Sequence, residues 1–203
     1  MMIKNVIFDV GNVLVDFRWR ELMEDLELPK ELQSVFEKSA FTSPWWGQLD
    51  LGVMEEEDIL VKLREDNREH LEEFNLVWDN RDKLVEPYDY AVSWIDSLKQ
   101  QGRKVYLLSN YPKNMFTLHT ECGAFPFIDH VDGKVVSGFV KMVKPNADIY
   151  EYLMKQYDLK AEECVFLDDR LDNVEGARAL GMKGIVVKSY EQANAELKEL
   201  LEG

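Results

Sequence analysis

Positive charge, cysteine and long apolar runs are all scarce in this sequence. Its 203 residues carry 24 Lys and Arg against 39 Asp and Glu, a formal net charge of −15. Gripping a nucleic acid or an anionic bilayer needs a basic surface, so the expected partners include no nucleic acid and no membrane. No stretch reaches the roughly 18 consecutive apolar residues of a membrane span. The amino-terminal run Met1-Met2-Ile3 meets Lys4 too early for a secretory signal, and a cytoplasmic location is expected. The two cysteines, Cys122 and Cys164, make neither a metal-ligand spacing nor a disulfide framework and read as reduced thiols. His70, His119 and His130 form no ligand spacing either. What is present is a globular composition, 46% hydrophobic and 31% charged, with room for one domain carrying a sizeable insertion. A monomer or weak homodimer is expected.

Short apolar runs recur at Ile3–Val10, Val105–Leu108, Cys164–Leu167 and Gly184–Val187. They are nearly continuous rather than alternating, which predicts strands buried on both faces, as in a parallel sheet. Between them apolar residues fall at helical spacing, for example Tyr88, Ala91, Val92, Ile95 and Leu98. Alternating strand and helix predicts an α/β fold with a doubly wound, mostly parallel, Rossmann-like sheet. Residues 16–85 break the rhythm with four helix-like patterns and no convincing strand. They are expected to form an inserted helical cap, with residues 1–15 and 86–203 as the core. The cap holds 19 acids against 9 Lys and Arg, so most of the net charge lies there. Asp132-Gly133, flanked by apolar residues, predicts a turn between two short strands.

In a doubly wound sheet ligands bind beyond the carboxyl ends of the strands, where the first three runs close on polar residues. Asp9 stands at the end of the first run, directly after Phe8, exposed and rigidly held, which suits a nucleophile or metal ligand as well as an ordinary strand end. Ser109-Asn110 closes the second and reads as an anion site or as a helix cap. Lys144-Pro145 precedes a helix, with Lys141 as a competing lysine. Asp168-Asp169 closes the third run. Adjacent carboxylates repel unless a cation or lysine sits between them, or they cap a helix; Asn173, one turn later, is placed to orient one of them.

Taken in order, Phe8-Asp9-Val10-Gly11-Asn12-Val13, Leu107-Leu108-Ser109-Asn110, Lys144-Pro145 and Phe166-Leu167-Asp168-Asp169 resemble the four motifs of the haloacid dehalogenase-like (HAD) hydrolase superfamily. The insertion after the first motif resembles that of the group with a small four-helix (C1) cap. The Asp-x-Gly-Asn-Val form resembles a branch of bacterial sugar-phosphate phosphatases that includes an α-glucose-1-phosphate phosphatase. The resemblance implies a phosphomonoesterase for a small phosphorylated metabolite, a sugar phosphate such as a hexose 1-phosphate. Asp9 would form an aspartyl-phosphate, and Lys144 would act with it. Mg²⁺ would be held by Asp9, the Gly11 backbone carbonyl and Asp169, with Asp168 as a further ligand or second-layer acceptor. Ser109, Asn110, Lys144, Gly11 and Asn12 would surround the phosphate. Trp46 and Gly52, in the two interruptions Trp45-Trp46-Gly47 and Leu51-Gly52-Val53, are the cap's candidates for contact with the substrate.

One departure stands out. Most phosphatases of this superfamily carry a second Asp two residues after the nucleophile, as general acid and base; here that position is Gly11. Two alternatives stay open, a haloacid dehalogenase and a ligand-binding or regulatory protein without turnover. The acid pair Asp168-Asp169 weighs against the first, and the intact Asp9 and Lys144 against the second.

Overall fold

The protein is described by a computed structural model covering residues 2–202. In chain order it runs β1 (Asn5–Phe8), β2 (Val15–Phe17), α1 (Trp19–Asp25), α2 (Lys30–Phe36), α3 (Pro44–Leu51), α4 (Glu56–Asp66), α5 (Leu71–Asp79), β3 (Val85–Pro87), α6 (Ala91–Gln100), β4 (Lys104–Ser109), α7 (Lys113–Glu121), β5 (Gly133–Val136), α8 (Ser137–Val140), α9 (Ala147–Tyr157), β6 (Cys164–Asp168), α10 (Leu171–Ala179), β7 (Lys183–Val186) and α11 (Tyr190–Glu202). A π-helical turn, Glu37–Phe41, follows α2.

The central sheet has the order β5-β4-β1-β6-β7, and all its pairings are parallel. From β1 the chain winds outward through β4 and β5, then returns to add β6 and β7 on the other side. The order therefore reverses around β1, and a crevice opens there at the carboxyl ends of the strands. Successive side chains of β1 serve opposite faces. Val6 and Phe8 join one apolar cluster with Trp94, Val105 and Val165, while Ile7 joins another with Tyr150, Leu153 and Phe166. Burial on both faces is why these strands read as continuous apolar runs.

β5 departs from the sequence expectation. Asp132-Gly133 does not turn a hairpin; Gly133–Val136 runs parallel to β4, with Tyr106 opposite Gly133. The Asp132 carboxylate instead accepts from the Val105 backbone N–H at 2.9 Å and from Lys104 Nζ at 3.0 Å, tying the start of β5 to β4. Gly133 leaves room for the Tyr157 ring, 2.3 Å from where a Cβ would stand.

Between β2 and β3 the chain is helical, with five α-helices where the sequence displayed four patterns. The additional one is α3, which contains Trp45-Trp46-Gly47 rather than being interrupted by it. Its signals are local: Ser43 accepts from the Trp46 N–H, Pro44 occupies the first turn, and Gly52 ends it at φ 66°. β2 and β3 pair antiparallel, Asp16 opposite Glu86, and the expected junctions near 15/16 and 85/86 both fall inside this ribbon. Apolar residues of the helical segment, among them Leu22, Phe36, Leu60 and Phe74, belong to the same cluster as one face of the sheet. No helix is long and apolar enough to cross a membrane among the described residues.

Candidate active site

Asp9 stands immediately beyond β1, Ser109 and Asp168 are the last residues of β4 and β6, and Asp169 follows Asp168. Parallel register places these tips side by side, Phe8 being opposite both Leu107 and Leu167. Lys144 reaches them from the loop before α9. Its ammonium is fully buried, 3.0 Å from Asp9 Oδ1 and 2.6 Å from Asp168 Oδ2, and donates to the Leu108 carbonyl at 2.9 Å. Two hydrogen bonds, to Leu108 and Asp168, and an ion pair with Asp9 thus hold the ammonium. Burial works against the charge of Lys144, but Asp9 and Asp168 outweigh it and its pKa stands above the ordinary value. Lys141, the competing lysine, is not within salt-bridge distance of any acid among the described residues.

Asp168 is fully committed. Oδ1 accepts from the Arg170 backbone N–H at 2.8 Å, and Asn173 Nδ2 donates to both carboxylate oxygens at 3.0 Å. Asn173 therefore does orient one of the two acids. With Lys144 on Oδ2, Asp168 has little capacity left for direct contact with a cation. Asp169 is different: Oδ2 accepts from Asn12 Nδ2 at 3.0 Å and Oδ1 stays open. Asn12 occupies the left-handed region at φ 54°, a conformation that Asn tolerates better than most residues, and its Oδ1 accepts from the Phe17 N–H at 3.2 Å. Its amide thus serves Asp169 and the start of the ribbon. The Asn110 side chain is likewise engaged, clamping the backbone of Lys144 through Nδ2 to its carbonyl at 2.9 Å and Oδ1 to its N–H at 2.8 Å.

Asp9 Oδ1 accepts from the Val10 N–H at 2.7 Å in addition to Lys144. Burial is the main reason its pKa rises to about 7; Lys144 pulls it down, while Asp168 and Asp169 push it further up. Burial also raises the pKa of Asp169. One carboxylate oxygen from each of Asp9, Asp168 and Asp169 falls within 4.8 Å of the others. Hard oxygen donors converging with excess negative charge fit a cation such as Mg²⁺, and the open oxygens of Asp9 and Asp169 are the groups that could hold it.

Asp9, Asp169 and Lys144 line a cleft of about 340 Å³ together with Gly11, Asn12, Ser109, Asn110, Arg170 and Asn173, whereas Asp168 is fully buried behind it. A Cβ on Gly11 would meet nothing within 4 Å, so the missing acid there does not reflect lack of room. The ribbon and the helical segment contribute Phe17, Phe41, Trp46 and Asp50 to the same cleft. Trp46 packs against Phe41 and Phe17, with centroids 5.1 and 5.8 Å apart, while Trp45 turns away and donates Nε1 to Asp66 at 3.0 Å. Gly52 does not line the cleft. It ends α3 against α8, where a Cβ would lie 2.5 Å from the Gly138 carbonyl oxygen. Gly52→Ala is therefore expected to lower stability by about 2 kcal/mol, combining left-handed strain with overpacking. A fall of about 5 °C in thermal denaturation would show it.

Sequence reasoning missed Asp50. It lies one helical turn beyond Trp46, at i+4, which places both on one face of α3. The residue is half-buried, with its carboxyl group sunk in the cleft. Burial and the neighbouring Asp9 raise its pKa to about 7, against the opposing pull of Lys144 and Arg170.

Comparison with known proteins agrees with this geometry. The family described as haloacid dehalogenase-like hydrolase matches residues 3–181. The sesquiterpene phosphatase astK of Aspergillus oryzae is 30% identical over 202 residues, covering 98% of this chain and 96% of that protein. A HAD-like family hydrolase from Porphyromonas gingivalis superposes with a TM-score of 0.78 at 23% identity over 100% of both chains. A HAD family enzyme from Bacteroides thetaiotaomicron, solved as a magnesium complex, gives 0.75 at 20% identity, covering 98% of this chain and 100% of that one. The chain belongs to the haloacid dehalogenase-like hydrolase family.

Proposed function

We propose that the protein is a magnesium-dependent phosphomonoesterase acting on a small phosphorylated metabolite through an aspartyl-phosphate on Asp9. Residues 1–15 and 86–203 act as the catalytic core in this reading, and residues 16–85 as a cap over it. The observation that carries it is the Asp9 carboxylate: buried at the tip of β1, held through Oδ1 by Val10 and Lys144, and open through Oδ2 toward a cleft shared with Ser109 and Asp169.

Asp9 Oδ2 attacks phosphorus in line, and the bond from phosphorus to the ester oxygen breaks. Ser109 Oγ and the Asn110 backbone N–H donate to the phosphoryl oxygens, while Lys144 balances the charge gathered there. Water then attacks phosphorus, the bond to Asp9 breaks, and the carboxylate and inorganic phosphate are released. Asp9, the Gly11 backbone carbonyl and Asp169 would hold magnesium, with Asp168 behind them fixing Lys144. When bound, the ion supplies electrostatic stabilisation of the phosphoryl group.

A hexose 1-phosphate suits the absent acid at Gly11, because an anomeric oxygen is a comparatively good leaving group. The wall of Phe17, Phe41 and Trp46 favours a second reading, the monophosphate of an apolar alcohol, and the similarity to a sesquiterpene phosphatase points the same way. The test is phosphate release from glucose 1-phosphate, a C15 prenyl monophosphate and p-nitrophenyl phosphate, with Mg²⁺ or EDTA. Turnover is expected with Mg²⁺ and a loss of at least about 10²-fold in EDTA. Undiminished turnover in EDTA would defeat the metal requirement. Halide release from a 2-haloacid, with no phosphate release from any ester, would favour the dehalogenase alternative.

A further inference from the structure

We infer that Asp50, on α3, is the general acid and base of this site, protonating the ester oxygen as it leaves and then accepting the proton of the attacking water. The inference rests on the phosphomonoesterase reading and concerns the step that Gly11 leaves without a proton donor.

In-line displacement puts the leaving oxygen on the side of phosphorus opposite the nucleophile. Asp9 attacks from the strand tips, so the leaving oxygen is directed away from the sheet, toward the residues that the ribbon and the helical segment bring to the same cleft, Phe17, Phe41, Trp46 and Asp50. Asp50 is the one ionisable side chain among these four and, among the described residues, the one acid that the helical segment contributes to the cleft. Other polar groups of the cleft are already engaged: Arg170 pairs with Asp172, the Tyr111 hydroxyl bonds to His119, Asn110 clamps Lys144, Asn173 holds Asp168 and Asn12 holds Asp169. Among the described residues, no side chain donates a hydrogen bond or pairs as an ion with the Asp50 carboxylate.

The backbone around Asp50 is held firmly. Ser137 Oγ donates to the Asp50 carbonyl at 2.5 Å and accepts from the Tyr111 N–H at 2.8 Å, which links the end of α3 to the loop after β4. Gly52 allows this approach by bringing its own backbone against Gly138. Asp50 is therefore fixed relative to Ser109 and Asn110, as a proton donor must be. Its surroundings suit the task, since burial, and then Asp9 in the same cleft, favour the protonated form, while Lys144 and Arg170 restrain the shift.

The proton balance closes. In the first step Asp9 bonds to phosphorus, the ester P–O bond breaks, and the Asp50 carboxyl proton passes to the departing oxygen, leaving an alcohol and the Asp50 carboxylate. In the second, water bonds to phosphorus, its proton passes to Asp50, and the P–O bond to Asp9 breaks. Both carboxyl groups end as they began.

The experiment compares wild type, Asp50→Asn and Asp50→Glu with Mg²⁺ present, on glucose 1-phosphate, hexyl phosphate and p-nitrophenyl phosphate. p-Nitrophenolate leaves without a proton; hexanolate does not. For Asp50→Asn, kcat/KM on hexyl phosphate is expected to fall by about 10²–10³-fold. The first turnover of p-nitrophenyl phosphate, followed by rapid mixing, should slow by less than about tenfold. A burst of p-nitrophenolate stoichiometric with enzyme should follow, because hydrolysis of the aspartyl-phosphate has lost its base. Asp50→Glu should recover part of the hexyl phosphate activity, and Asp50→Asn should melt no lower than wild type, since removing a carboxyl group whose pKa is raised by burial does not cost stability. Equal losses on both esters in the first turnover, or no loss on either, would overturn the assignment. Asp9→Asn as a parallel arm separates the two levels: an inactive Asp9→Asn beside an unimpaired Asp50→Asn sinks Asp50 alone, whereas turnover by Asp9→Asn sinks the reaction itself.

Discussion

Lys144→Met is expected to lower the stability of the protein by about 3–5 kcal/mol and to abolish turnover. Among the described residues, the ammonium is the one cation within salt-bridge distance of the carboxylates of Asp9 and Asp168, and all three groups are buried. Met fills a similar volume but leaves two carboxylates without a counter-charge, and stranding buried charges in this way carries a penalty of that size. In a chain of this length the corresponding fall in melting temperature is about 10 °C or more. The pH dependence has a definite sign. Without the lysine, the Asp9 carboxyl group loses the attraction that opposes its burial, and its folded-state pKa rises further above the unfolded one. Protonation then relieves the strain, so the deficit is largest near pH 8 and shrinks toward pH 5. Melting curves at both pH values check the effect, and Lys141→Met is the control, since Lys141 pairs with no acid among the described residues. Equal melting temperatures for Lys144→Met and wild type at pH 8 would show that the triad is not the electrostatic unit inferred from its geometry.

The strands that carry this triad were legible because they are buried on both faces and end abruptly in polar residues. Ile7 and Phe8, Leu108, and Phe166 and Leu167 give continuous apolar runs, and Asp9, Ser109 and Asp168 follow them at once. β5 was not legible. It lies at the edge of the sheet, opens on Gly133 and exposes Lys134, so Asp132-Gly133 looked like a hairpin turn. The engagement of Asn12 and Asn110 escaped notice for another reason. Their amides bond to Asp169 and Lys144, 157 and 34 residues away, and such partners have no signature in local sequence. Asp50 was hidden by numbers, as one of 19 acids in a strongly acidic segment. The available signal was the helix itself, since Ser43-Pro44 at its start and Gly52 at its end frame α3 and put Trp46 and Asp50 on one face. Once the doubled tryptophan was read as a break, that face disappeared.

Asp9→Asn is expected to remove activity, by about 10⁴-fold or more, while leaving the protein as stable as wild type or more stable. The loss of rate follows from the absence of an oxygen nucleophile able to bond to phosphorus. The gain in stability follows from charge. Asp9, Asp168 and Asp169 put three carboxylates around the single charge of Lys144, and folding raises the Asp9 pKa from 3.8 to about 7 because burial outweighs its pairing. A carboxyl group whose pKa is raised by folding costs stability above its unfolded pKa. The cost grows from about pH 4, levels off above pH 7, and disappears in acid. Asn keeps the shape and the neutral state, so in EDTA the variant should melt higher than wild type at pH 8, with the difference closing as the pH is lowered toward 4. Lys144 retains Asp168 as a partner in the variant, which is why the substitution does not strand the cation. Added Mg²⁺ should reverse the ranking. A cation that binds the folded state stabilises it by mass action, and wild type offers the Asp9 carboxylate that the variant lacks. A wild-type protein that melts above Asp9→Asn at pH 8 in EDTA would mean that pairing with Lys144, not burial, governs this carboxylate. The site would then be organised for stability first and for chemistry second.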